Sequence, residues 1–148
     1  MPDSAKPLRV LVSEGSSTSA REAITILGLS GHTIEVCDPS PWCLSRFSRL
    51  VAKFHRCPGL RDDPAGYLAF IEQRLAERKF DVLLPTHEQG FLFARARQRI
   101  EGRAGLALPT FASYRIAHSK AGFSRFTTEI EVGEGQTLPL NVSLMTAS

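Results

Sequence analysis

The strongest constraint on this chain is the alternation of short β-branched runs with amphipathic helical segments. The stretch "LRVLVSEG" at 8–15 is apolar and β-branched and breaks at a glycine, which marks a buried strand. In "SSTSAREAITILGLSGH", Ser17 or Ser19 can cap a helix whose Ala20, Ala23, Ile24 and Leu27 repeat at helical spacing, and Gly28 and Gly31 end it. "HTIEVCDPS" follows as a second strand, stopped by Pro39. Together these segments form one β-α-β unit.

The pattern continues. Spacing predicts one helix over 41–57 and another over 64–79, the latter with Leu68, Ile71 and Leu75 on one face and Asp62 or Asp63 as its cap. "FDVLLPTHEQ" reads as a third strand, "GFLFARARQRIEGR" as a helix with Phe91, Ala94 and Ile100 turned inward, and "AGLALP" as a fourth strand. "FASYRIAHSKAGFSRFTTE" gives one or two short helices. Parallel strands need right-handed crossovers that lay helices on the sheet. The series therefore predicts an α/β fold of three layers, with a parallel sheet of about four strands and helices on both faces. Counting only these predicted strands, their order in space is 2-1-3-4.

In an open sheet of this kind the ligand lies beyond the carboxyl ends of the strands, at the switch point beside the first one. Those ends fall at 14–17, 38–40 and 86–89, which makes Glu14, Ser16, Ser17, Ser40, Thr86, His87 and Glu88 the candidate ligand surface. Arg46 and Arg49 join its rim if the Pro-rich turn before them folds their helix over the cleft. The turn "SEGSSTSA" precedes a helix, so its backbone N–H groups could hold an anion, but it is neither G-x-G-x-x-G nor a P-loop, and capping serines explain it as well. In "PTHEQ", His87 and Glu88 could act as base and partner or bind a substrate amine and carboxylate; equally, Thr86 or His87 could cap the next helix. The sequence supports no Ser-His-Asp or Cys-His arrangement, because nothing in it shows which of these residues meet in space.

Composition narrows the class. A chain of 148 residues, 43% apolar and 22% charged, suits one core of an ordinary globular domain. Its apolar runs are too short to cross a bilayer, and "MPDSAKPLRV" has no apolar signal core, so a cytoplasmic protein without membrane partners is expected. Cys37, Cys43 and Cys57 are odd in number and match no disulfide or zinc pattern. Arg46, Arg49, Lys53, Arg56 and Arg61 occur with no carboxylate between Asp38 and Asp62. This basic stretch lacks any nucleic-acid reader motif, so it reads as a solvated face or an anion site.

The strings "RVLVSEG…SAREAITILGLSGHTIEVCD", "DVLLPTHEQ", "ALP" and "SKAGFSRF" resemble, in sequence and in order, the N-terminal pre-ATP-grasp domain of ATP-grasp ligases, over roughly residues 8–126. The resemblance implies a Rossmann-like domain that supplies part of a substrate site for a small carboxylate or amino-acid-like metabolite. It implies ATP and magnesium bound by two later subdomains, and carboxylate activation as an acyl phosphate followed by attack of an amine. Lys120 matches the family's nucleotide-contacting lysine, although Ser119 stands where an aspartate usually precedes it. After a 1–126 domain, residues 127–148 depart from the family: "TTEIEVGEGQTLPLNVSLMTAS" has three glutamates and no Lys or Arg, with alternation that suits a hairpin around "GEGQ". The expectation is a substrate-side domain inactive by itself, with no catalytic residues, no metal ligands and no tight cofactor of its own, unless a homo-oligomer completes the site. A stand-alone α/β module for an anionic metabolite, and an enzyme built on His87 and Glu88, are the other readings.

Overall fold

In a computed structural model of the chain, residues 6–106, 108–118, 126–131 and 137–142 are described. They divide into two compact units, 1–111 and 112–148. In the first unit, β1 (Arg9–Val12) runs parallel to β2 (Thr33–Asp38), with Val10 beside Ile34 and Val12 beside Val36. The helix between them, α1 (Thr18–Leu29), is opened by Ser17, whose Oγ accepts the Ala20 N–H at 3.1 Å. It closes on Gly31 at φ +86°, with Gly31 N–H donating to Gly28 O and His32 N–H to Leu27 O, the paired bonds of a Schellman motif.

The sheet has four parallel strands in the order β3-β2-β1-β4, where β3 is Val51–Arg56 and β4 is Val82–Leu84. Successive side chains alternate between its faces. Val10, Val12, Ile34 and Val36 meet Ala20 and Ile24 of α1 on one side. On the other, Leu11, Cys37 and Leu83 pack under α2 (Pro64–Glu77), α3 (Gln89–Arg95) and α4 (Arg97–Ile100) through Tyr67, Ile71, Phe93 and Ile100. Each fully buried side chain of this size stabilises by about 1.5–3 kcal/mol. The first unit is thus a three-layer, Rossmann-like α/β fold with helices on both faces.

Two predicted elements are corrected. Residues 41–57 do not form a helix: a turn and a short 3₁₀ segment, Leu44–Phe47, lead into the edge strand β3. The aromatics Trp42 and Phe47 of this stretch stay outside, 79% and 64% exposed, while "VAKFHR" pairs with β2 and buries His55. Pairing to an open sheet edge outweighs a weak helical period. The second correction concerns "AGLALP", which among its described residues contributes a bridge rather than a strand: Gly105 pairs with Val82, its N–H reaching Asp81 O at 2.8 Å and its carbonyl accepting Leu83 N–H at 3.0 Å. The order 2-1-3 of the first three predicted strands holds, and the fourth place in the sheet goes to β3 at the opposite edge.

Smaller differences follow from local chemistry. Asp63, not Asp62, caps α2, its Oδ1 accepting Gly66 N–H at 2.8 Å with Pro64 in the first turn. The helix predicted from Gly90 onward breaks at Ala96, so Phe93 rather than Phe91 is fully buried, with Ala94 and Ile100 beside it in the interior. The second unit holds α5 (Phe111–His118) and a hairpin of β5 (Phe126–Glu131) and β6 (Thr137–Val142), antiparallel with Phe126 opposite Val142 and Glu131 opposite Thr137. Lys120 lies outside the described residues.

Candidate functional site

The turn after β1 is folded by two carboxylates. Asp38, buried at the end of β2, accepts the Gly15 N–H at 3.0 Å and the Ser16 hydroxyl at 2.8 Å on Oδ2, and the Ser40 N–H at 2.8 Å on Oδ1. Glu14 curls back so that Oε1 accepts the Ser16 and Ser17 N–H groups at 2.5 and 2.6 Å. The Ser16 and Ser17 donors just before α1 are thereby satisfied from within, and a phosphate that used them would have to displace Glu14. Gly15 permits the fold, since a Cβ there would lie 2.6 Å from both Cys43 Sγ and Val36 Cγ1.

Beyond this turn opens a cleft of about 550 Å³ at the carboxyl ends of the strands. Of the seven residues expected at the ligand surface, Glu14, Ser16, Ser17, Ser40, His87 and Glu88 line it. Thr86 stands behind them, its Oγ1 3.4 Å from both Glu14 O and Glu14 Oε2. Arg46 and Arg49 do not line it: Arg46 donates to Pro41 O at 2.8 Å and lies over the Phe54 ring, held by the turn that replaced the expected helix. The cation among the lining residues is instead Arg61, in the loop between β3 and α2.

Arg61 and Glu88 face each other as a two-point ion pair, Nη2 to Oε1 and Nε to Oε2, both exposed to solvent. The guanidinium holds the Glu88 carboxyl below its usual range, and the carboxylate raises the Arg61 value in return. Glu88 occupies the N-cap position of α3 but makes no side-chain capping bond, so it is engaged by Arg61 rather than by its own helix or by His87. The arrangement offers no base–partner dyad.

Tyr67 stands at the inner wall, its hydroxyl donating to Ser13 O at 2.8 Å and its ring stacked on Phe93 at 6.0 Å. Burial pushes its phenol well above the ordinary value, so it stays a neutral donor. Ser13 and Gln89, 1% and 8% exposed, also line the cleft, and Ser13 Oγ and Gln89 Oε1 have no hydrogen-bond partner among the described residues. Leaving a buried polar group unpaired costs about 1–3 kcal/mol. Both atoms are shut off from water.

Four carboxylates, Glu14, Asp38, Asp62 and Glu88, line the cleft with Arg61, which pairs with Glu88. Among the described residues no group of three or more His, Cys, Asp or Glu side chains could hold a metal ion, and no helix is long and apolar enough to cross a membrane. Sequence reasoning named the strand ends but missed Ser13, Arg61, Tyr67 and Gln89. Tyr67 and Gln89 are core-facing helix positions, and Arg61 is one cation in a basic run, so no pattern singled them out. Compared with family models and with curated proteins, the chain matches none.

Proposed function

We propose that this chain is a substrate-side α/β domain of the pre-ATP-grasp kind, which holds a small carboxylate or amino-acid-like metabolite at the carboxyl ends of β1, β2 and β4. In that reading ATP and magnesium are bound by other subdomains, and the reaction served is ATP-dependent carboxylate–amine ligation. The observation that carries the ligand site is that two residues lining the strand-end cleft, Ser13 and Gln89, hold buried, unpartnered polar atoms, Oγ and Oε1. A ligand that pairs with them removes a cost the free domain bears. Lys120 is proposed as a nucleotide contact on the resemblance alone.

The first turn supports a site for something other than a phosphate, because Glu14 already takes the Ser16 and Ser17 N–H groups. This weighs against a phosphate-bearing ligand at that turn, whether the domain works within a ligase or as a stand-alone module for an anionic metabolite. The test is a thermal-shift screen of carboxylates, amino acids and nucleotides, followed by mapping of amide chemical shifts. A ligand at a hundredfold excess over its Kd stabilises by about 2.7 kcal/mol. Perturbations should cluster at 13–17, 38–40 and 86–89; clustering at the other end of the strands would sink the reading.

A further inference from the structure

We infer that Arg61 is the carboxylate anchor of the cleft and Glu88 its built-in competitor, so that the ligand is a small molecule carrying both a carboxylate and an N–H donor. This rests on reading the strand-end cleft as the ligand site. Two of the four lining carboxylates are committed to the fold: Asp38 takes three hydrogen bonds from the turns after β1 and β2, and Glu14 takes two. Among the described residues Arg61 bonds to Glu88 alone. Its loop is fixed on both sides, by Asp63 N–H donating to Gly59 O at 2.9 Å and by Asp63 capping α2.

A guanidinium fork binds one carboxylate in the plane through two parallel bonds, and any carboxylate of the same geometry can replace another. The Arg61–Glu88 pair is largely in water, with side chains 81% and 45% exposed, so the exchange releases Glu88 into solvent rather than stranding a buried charge. A ligand carboxylate seated on Arg61 then has Gln89 next in sequence to the displaced residue. The free acceptor Oε1 and the acceptor-rich wall favour an ammonium or amide N–H on the inward side. A polyanion finds the opposite: one cation facing several carboxylates.

The experiment is an amide chemical-shift titration of the full chain with L-alanine as probe. Propionate, which lacks the ammonium, and L-alaninamide, which lacks the carboxylate, serve as comparators. Saturable shifts at Arg61, Glu88 and Gln89 are expected, with both comparators at least tenfold weaker. Arg61→Gln should weaken L-alanine at least tenfold. Glu88→Gln should tighten it at least threefold, because the competing carboxylate is gone; a merely structural Glu88 would leave affinity unchanged, and a ligand-contacting Glu88 would weaken it. Either of those results, or comparators that bind as well as L-alanine, overturns the assignment of Arg61 and Glu88. Shifts that cluster in the cleft but ignore both substitutions do the same while leaving the strand-end site standing. Absence of saturable shifts with L-alanine overturns the inference, and the wider screen then decides separately whether the cleft binds anything.

Discussion

The Glu14 carboxylate closes the turn after β1 by accepting the Ser17 N–H at 2.6 Å, in the place where this architecture elsewhere receives a phosphate. Removing it has two opposed effects. Glu14→Ala should destabilise the domain by about 0.5–2 kcal/mol, the range for a lost cap, because two backbone donors lose their partner. The same change empties an anion nest, so inorganic phosphate should raise the melting temperature of the variant and shift the Ser16 and Ser17 amides, with neither effect in the wild type. Equal phosphate responses in both proteins would show that Glu14 does not guard the turn.

A second carboxylate, Glu35, is buried in β2 on the α2 face and receives His55 Nε2 at 2.6 Å, Arg9 Nη2 at 2.8 Å and Arg78 Nη1 at 2.6 Å. Burial alone would raise its pKa; the bonds from His55, Arg9 and Arg78 outweigh it and leave the value lowered. A lowered folded pKa means stability that is present above the ordinary carboxylate range and lost as the pH falls through the folded value. Urea unfolding should therefore show stability falling below about pH 4.5, and Glu35→Gln should flatten that limb. At neutral pH the substitution should cost about 2 kcal/mol, less than a fully buried pair because both guanidinium groups reach water. A variant with the wild-type acid limb would assign the pH dependence to other groups.

What the sequence made legible was the part of the fold written in local periods. Val10, Val12, Ala20, Ile24, Ile34 and Val36 repeat at strand or helix spacing and make up one face's core. Leu68, Ile71 and Leu75 did the same for α2. The edge strand was illegible because its burial is thin: in Val51–Arg56 only His55 is buried, and it is buried by Glu35, a long-range partner that no local period encodes. The cleft followed a similar rule. Residues at strand ends were found from topology, whereas Arg61 reached it through a loop geometry set by the α2 cap, and Gln89 as the first residue of α3, on the side of that helix turned toward the core.

Gly31 isolates a pure backbone term. It sits at φ +86° with nothing within 4 Å of where a Cβ would be, so a substitution there meets strain and no clash. Gly31→Ala should cost about 1–2 kcal/mol, the penalty for an L residue in the left-handed region. Gly31→Asn should cost less, since asparagine tolerates that region. Chemical denaturation of the two variants measures the difference, and equal losses would mean that the turn is not left-handed in solution.

Gly15 is the opposite case, in which space rather than dihedral angle decides. A Cβ on it would stand 2.6 Å from Cys43 Sγ and 2.6 Å from Val36 Cγ1, and both of those residues are buried. Neither can swing into solvent, so the turn must lift off β2, and with it the Gly15 N–H to Asp38 bond at 3.0 Å and the Ser45 hydroxyl bond to Gly15 O at 2.5 Å. Gly15→Ala should cost about 1–3 kcal/mol by overpacking. Because Asp38 also holds Ser16 and Ser40, the same change should move their amide resonances and weaken any cleft ligand, whereas Gly31→Ala should leave that affinity intact. Trimming one of the two colliding groups separates packing from a general loss of fold: Cys43→Ala in the Gly15→Ala background should restore part of the lost stability and shift Ser16 and Ser40 back toward their wild-type positions. If the second substitution only adds its own cost, the contact between Gly15 and Cys43 does not set the position of the turn.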